Sequence, residues 1–326
     1  MHKIAVVADL HVKKESESLL DYLLGLLNDS EIDLVIMNGD IVNSVYSDTG
    51  DLNYEAFMKL YRQYKEKIVI VPGNHDYATS HMNEEDFKWI KQSKNIFQMF
   101  YRGVWLSRKY IRALLNIYTD DFVKHLEVMK DITLEGVDIK FINTQNDFVV
   151  RPPVKLAPLR FFYDAFRIPV NMIFTDKTFL IGPKKMPNLF TTKKNLILFS
   201  HAPIVNPDED QTHYTIEKYE LESFLNYKKE IFEALCKQKD KNIICISSHA
   251  HNPSVKEMCI DKETGEIIRE VSQENYHNPK YIKFVRTLAF SDFNEFPQQI
   301  NYILIDLLKA HEPKFHFKTL PIYKSK

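Results

Sequence analysis

The stretch Ile4-Ala5-Val6-Val7-Ala8-Asp9-Leu10-His11 decides how this chain is read. Five apolar residues, rich in β-branching, are followed at once by a carboxylate and an imidazole. Such a run is expected as a buried strand whose C-terminal end delivers chemistry. It lacks the long apolar region and small-residue cleavage site of a secretory signal. The same rhythm continues downstream. Leu19, Leu20, Leu23, Leu24 and Leu27 share one face of a predicted helix, and Asp33–Met37 reads as a second strand. Tyr54, Phe57, Met58, Tyr61 and Tyr64 fit a second helix before a third strand at Ile68–Val71. Strands alternating with helices point to βαβ units in an α/β fold, where ligands gather at the carboxyl ends of the strands.

The rhythm breaks from about 77 to 195. Phe87–Met129 is expected to be mostly helical, Ile132–Ile142 a hairpin around Glu135-Gly136, and Arg151–Asn188 irregular. Alternation resumes with a strand at Leu196–Phe199, a helix over Ile216–Lys237 and a strand at Asn242–Ser247. A β-like tail follows: Val255–Ile260 and Ile267–Val271 around Thr264-Gly265, then Tyr281–Phe290, Ile300–Leu307 and Phe315–Ile322. Residues 1–326 are read as one domain that carries an insertion or cap within 77–195.

Composition narrows the class. The 326 residues are 44% hydrophobic and 27% charged with net charge −1, so nothing global favours polyanions or membranes. No apolar run is long enough to span a bilayer. Cys236, Cys245 and Cys259 show neither metal-binding nor disulfide spacing, so a reducing, cytoplasmic setting is expected.

Chemistry concentrates in Asp9-Leu10-His11, Gly39-Asp40, Gly73-Asn74-His75-Asp76, Ser200-His201 and His249-Ala250-His251. Each lies at or just past a predicted strand end. An extended backbone sends both ligands of Asp-x-His or His-x-His the same way. A pair of divalent cations needs mixed oxygen and nitrogen ligands and a carboxylate able to bridge them. The set supplies these without a thiolate, which suits Mn, Fe, Co, Ni or Zn. Gly39 and Gly73 precede ligands where the backbone must turn sharply at close quarters. Each motif alone is commonplace as a turn or cap. Five in order at strand ends are not.

These motifs resemble those of the calcineurin-like metallophosphoesterases, whose pattern is D-x-H, G-D, G-N-H-(D/E), H and G-H-x-H. The resemblance covers roughly 1–76 and 195–307. It implies a four-layer α/β/β/α sandwich of two mixed sheets, here with a largely helical insertion. It also implies that Asp9, His11 and His251 bind one metal, Asn74, His201 and His249 the other, and that Asp40 bridges them. His75 would lie beside the metals and Asp76 would orient it. The expected reaction is hydrolysis of a phosphate ester by a metal-bridging water, with His75 stabilising charge or protonating the leaving oxygen. Ser248 stands where the family usually has Gly. A left-handed turn there would strain the approach of His249.

The neutral total conceals segregation. Residues 88–195 carry 19 Lys plus Arg against 9 Asp plus Glu, and the remainder nets about −11. A cap presenting Arg102, Arg108, Lys109 and Arg112 with Tyr101, Trp105 and Tyr110 suits a nucleotide or nucleic acid. Alternatively Tyr101, Trp105 and Ile111 are core and the basic residues a solvated face. His213 lines the cleft or sits on an exposed loop. A phosphodiesterase is the favoured function; a phosphomonoesterase, including a protein phosphatase, and a non-catalytic scaffold of the same fold are the rivals.

Overall fold

In the computed structural model, residues 3–12, 19–42, 55–73, 76, 92–95, 97–98, 101–102, 129–144, 186–205, 228–249, 255–287, 289–290, 299–307 and 313–321 are described. The opening run forms β1 (Lys3–Val7), followed by α1 (Leu19–Asn28), β2 (Leu34–Asn38), α2 (Glu55–Tyr64) and β3 (Ile68–Val71). β1 pairs in parallel with β2, and β2 with β3. Two late strands, β11 (Gln299–Asp306) and β12 (Lys314–Pro321), add antiparallel to give the order β12-β11-β1-β2-β3.

The second sheet uses β4 (Ile132–Leu134), β5 (Val137–Ile142), β6 (Asn195–Ser200), β7 (Asn242–Ser247), β8 (Lys256–Asp261), β9 (Ile267–Ile268) and β10 (Tyr281–Arg286). Its order is β4-β5-β6-β7-β10-β8-β9, with β5, β6, β7 and β10 mutually parallel. Two helices accompany it, α3 (Lys228–Cys236) and the short α4 (Gln273–His277).

Strand alternation turns these parts into layers. In β1, Ile4 and Val6 point into a core shared with Ile197, Phe199, Ile244 and Ile246 of the other sheet. Ala5 and Val7 point the opposite way, onto Leu19, Leu23 and Phe57 of α1 and α2. On the far side, Leu196, Leu198 and Ile243 pack against Ile231 and Leu235 of α3. The result is the expected α/β/β/α sandwich of two mixed sheets. Most of the expected helical insertion over 77–195 lies outside the described residues. Among the described residues no helix is long and apolar enough to cross a membrane.

Several boundaries differ from expectation. Leu26 is buried, whereas Leu24 is only half-buried. β9 stops at Ile268, since only Ile267 and Ile268 find partners on β8. The chain then enters α4, whose N-terminus is closed by reciprocal bonds between Ser272 and Asn275. β10 ends at Arg286 rather than Phe290 because the chain leaves its sheet there. Thr287 N–H donates to Ser247, and Phe290 N–H crosses to the Ala8 carbonyl of the other sheet.

Candidate metal centre

The site is built from turns that follow parallel strands. Beyond β1 and β2 the two chains stay paired: Asp9 N–H donates to Gly39 O (3.0 Å), His11 N–H to Asp40 O (2.9 Å) and Val12 N–H to Ile41 O (2.9 Å). Yet the backbone is not extended there. Asp9, His11 and Asp40 have φ of 52°, 46° and 52°, and His249, just past β7, has 78°. Among the described residues, no other non-glycine residue has positive φ. This conformation costs an L-residue about 1–2 kcal/mol, and such strain gathers where function requires it. Delivery by strand alternation is therefore corrected: both ligands of Asp9-Leu10-His11 come from left-handed positions. The concern over Ser248 is corrected too, because the positive φ falls on His249 and not on the serine.

The two glycines answer to space. A Cβ on Gly39, itself at φ 88°, would lie 2.1 Å from His201 Nδ1, and one on Gly73 would lie 2.2 Å from Asp40 N and Oδ1. Gly73 is not left-handed, so close approach to Asp40 alone accounts for it.

Five expected residues converge. Asp40 Oδ2 lies 3.3 Å from His201 Nε2 and 3.7 Å from His11 Nε2. His249 Nδ1 lies 3.2 Å from His201 Nε2. Asp40, His201 and His249 form one group able to hold a metal ion, and Asp9, His11 and Asp40 another, with ligand atoms in each within 4.8 Å of one another. Asp40 belongs to both. Asp9, Asp40 and His201 are buried, while His249 is exposed and opens the centre to solvent.

The electrostatics call for positive charge. Burial opposes a charged His201, but the carboxylates of Asp40 and Asp9 outweigh it and push the imidazole up to about 9. Carboxylate and imidazole lone pairs facing one another need a proton or a cation between them. Two divalent ions fit this donor set, and the paired clusters constitute a dinuclear metal site.

Asp76 is buried, and its own surroundings are backbone. Oδ1 accepts from Ile41 N–H (2.8 Å) and Val42 N–H (3.2 Å), and Oδ2 from Gly73 N–H (2.8 Å). It thus ties the turn after β3 to the turn bearing Asp40. Burial and the nearby Asp40 charge raise its carboxyl above the ordinary range, against the pull of those amides. Asn74, His75, His251 and His213 lie outside the described residues.

Two contributors were missed in the sequence. Asn38 closes β2 fully buried; its carbonyl lies 3.0 Å from His201 Nδ1 and its Nδ2 donates to Ser200 O (3.1 Å). A carbonyl only accepts, so Nδ1 carries the hydrogen and Nε2 is turned to Asp40. Arg286 closes β10 fully buried, and its charge is felt by Asp9. In both cases the available signal was a polar residue ending a largely apolar strand.

A dimetal phosphatase from Danio rerio superposes with a TM-score of 0.52 over 99% of each chain at 11% identity, a likeness of fold. A metallophosphoesterase from Sphaerobacter thermophilus gives a TM-score of 0.37 at 12% identity, covering 98% of this chain and 88% of its own. No curated protein matches significantly. The profile described as calcineurin-like phosphoesterase matches residues 2–253, a span containing every ligand-bearing turn. This chain therefore belongs to the calcineurin-like phosphoesterase family, as a dinuclear-metal phosphoesterase.

Proposed function

We propose that the chain hydrolyses a phosphodiester of a nucleotide or nucleic acid, with Asp9, His11 and His251 at one ion, Asn74, His201 and His249 at the other, and Asp40 shared. The observation that carries the two-ion arrangement is the membership of Asp40 in both ligand groups. When bound, the ions would offset the phosphate charge and lower the pKa of a water held between them. The chain's own work is positional. His75 protonates the leaving oxygen, and Asp76 holds that turn against the turn of Asp40. A donor set of oxygen and nitrogen without thiolate suits Mn, Fe, Zn, Co or Ni, and Mn²⁺ is the first to try.

Substrate choice is assigned to an insertion or cap within 77–195 on a single domain, the β4–β5 hairpin of that range belonging to the second sheet. Supporting this, Phe97 is 82% and Tyr101 68% exposed, which argues against the reading of Tyr101 as core. Aromatic faces beside basic residues such as Arg102 suit bases and phosphates. Cys245 and Cys259 are buried free thiols and Cys236 is half-buried and free, in keeping with the cytoplasm.

The test is a panel on Mn²⁺-loaded protein: bis(p-nitrophenyl) phosphate, p-nitrophenyl phosphate, cyclic nucleotides, single- and double-stranded DNA, RNA and phosphopeptides. Faster cleavage of the diesters is expected. Preference for p-nitrophenyl phosphate or phosphopeptides would instead assign a phosphomonoesterase. Hydrolysis of nothing in the panel would favour a scaffold.

A further inference from the structure

We propose that Ser248, which stands where the family usually has glycine, is a positioning residue whose hydroxyl locks three ligand-bearing turns together and presets the Asp40–His201–His249 group for its ion.

The hydroxyl is fully buried and its bonds are mutually consistent. Oγ donates its single hydrogen to the Asn38 carbonyl at 2.6 Å. Its lone pairs then face two donors, Asn38 Nδ2 at 3.3 Å and His201 Nδ1 at 3.0 Å, whose single hydrogen is shared between Oγ and the Asn38 carbonyl. The serine backbone adds Ser248 N–H to His201 O at 3.0 Å. One oxygen therefore joins the end of β2, one residue before Gly39-Asp40, to the first residue after β6 and to the residue preceding His249. Those are the turns supplying Asp40, His201 and His249. Glycine at 248 would leave the Asn38 amide and the His201 ring without this partner. The left-handed His249 follows next in the chain, so the turn that residue 248 anchors is the one that carries it. Groups behind metal-ligating histidines fix ring orientation and tautomer, and their loss typically lowers metal affinity by about 10–100-fold. Asp9 and His11 are not among the partners of this hydroxyl, so its influence falls first on the His201–His249 site and reaches the other only through the shared Asp40 and the His249 N–H bond to Asp9.

This inference rests on the two-metal reading, and calorimetric titration of metal-free protein with Mn²⁺ separates the two. Wild type, Ser248→Ala and Ser248→Gly are compared, with His201→Ala as the reference that removes one site. Expected is a loss of about 10–100-fold in one binding event of both Ser248 variants, with the other event weakened far less. The affected event should be the one His201→Ala abolishes, and adding Ser248→Ala to His201→Ala should weaken nothing further. The visible spectrum of Co²⁺ at that site should change as ligand geometry relaxes. Wild-type affinities in both variants, or equal weakening of both events alongside a lower melting temperature, overturn the inference. If Ser248→Ala does not fold, Ser248→Gly decides by the same criteria. A wild type that takes up no Mn²⁺ overturns the two-metal reading and this inference with it.

Discussion

Gly73→Ala places one methyl group where the structure has no room. The new Cβ would lie 2.2 Å from both Asp40 N and Oδ1 and 2.8 Å from Cγ, whereas ordinary contact begins at 3.4 Å. About 1 Å of separation must be found. The backbone is poorly placed to yield it: Gly73 N–H is held by Asp76, and the turn of Asp40 is bonded to Asp9 and His11. Swinging the shared carboxylate aside relieves Oδ1 and Cγ but not the backbone nitrogen, so the turn of Asp40 must shift and its carboxylate moves with it. Overpacking of this kind costs about 1–3 kcal/mol. A displacement near 1 Å is large against the ~0.2 Å tolerance of metal–ligand distances and is enough to lose roughly a hundredfold in rate. Metal content by mass spectrometry, melting temperature and diester hydrolysis should fall together, with fewer than two ions retained per chain. Gly25→Ala is the control. Gly25 sits exposed inside α1 with nothing within 4 Å of its added Cβ. It should stabilise by about 0.5–1 kcal/mol and leave metal and rate alone. Two ions and an undiminished rate in Gly73→Ala would refute the reasoning.

Asp40→Asn keeps shape but removes the shared charge, so activity and one ion should be lost; two bound ions with full turnover, read by metal analysis and steady-state kinetics, would show that Asp40 does not bridge. His75→Ala should retain both ions and lose rate by about 10²–10⁴-fold, the usual contribution of a general acid. That loss should be smallest on substrates with good leaving groups, as a leaving-group series would reveal. Because His201 in the metal-free protein holds its proton up to about 9, an incoming ion must displace that proton. Mn²⁺ affinity should therefore rise by about tenfold per pH unit between 7 and 9 and then level off; calorimetry in buffers of different ionisation enthalpy should show proton release. If the cap within 77–195 takes nucleic acid, binding of single-stranded DNA should weaken steeply between about 50 and 200 mM salt, and a flat fluorescence-anisotropy titration would count against it.

What the sequence disclosed follows physical lines. β1, β2 and β3 were readable because they are largely buried on both faces and so appear as apolar runs. Asp9, Asp40 and His201 stood out because each interrupts such a run at its C-terminal end. The left-handed backbone at Asp9, His11, Asp40 and His249 was not readable, since only glycine advertises positive φ. Asn38, Arg286 and the service of Ser248 were also hidden: each acts through partners distant in sequence, as in the bond between Asn38 and Ser248. The short α4 has no apolar period, and its cap pairs Ser272 with Asn275 rather than with the usual Glu or Gln. The Tyr281–Phe290 run overshot because apolar residues continue past Arg286 while the chain crosses to β1.

The two-ion centre is tested most directly by electron paramagnetic resonance of the chain reconstituted with Mn²⁺. Ions sharing Asp40 should be exchange-coupled, giving a multiline spectrum that integrates with two Mn²⁺ per chain. That pattern should collapse to the six lines of isolated Mn²⁺ in Asp40→Asn. A wild-type spectrum of isolated Mn²⁺, at one ion or at two, would contradict a shared carboxylate.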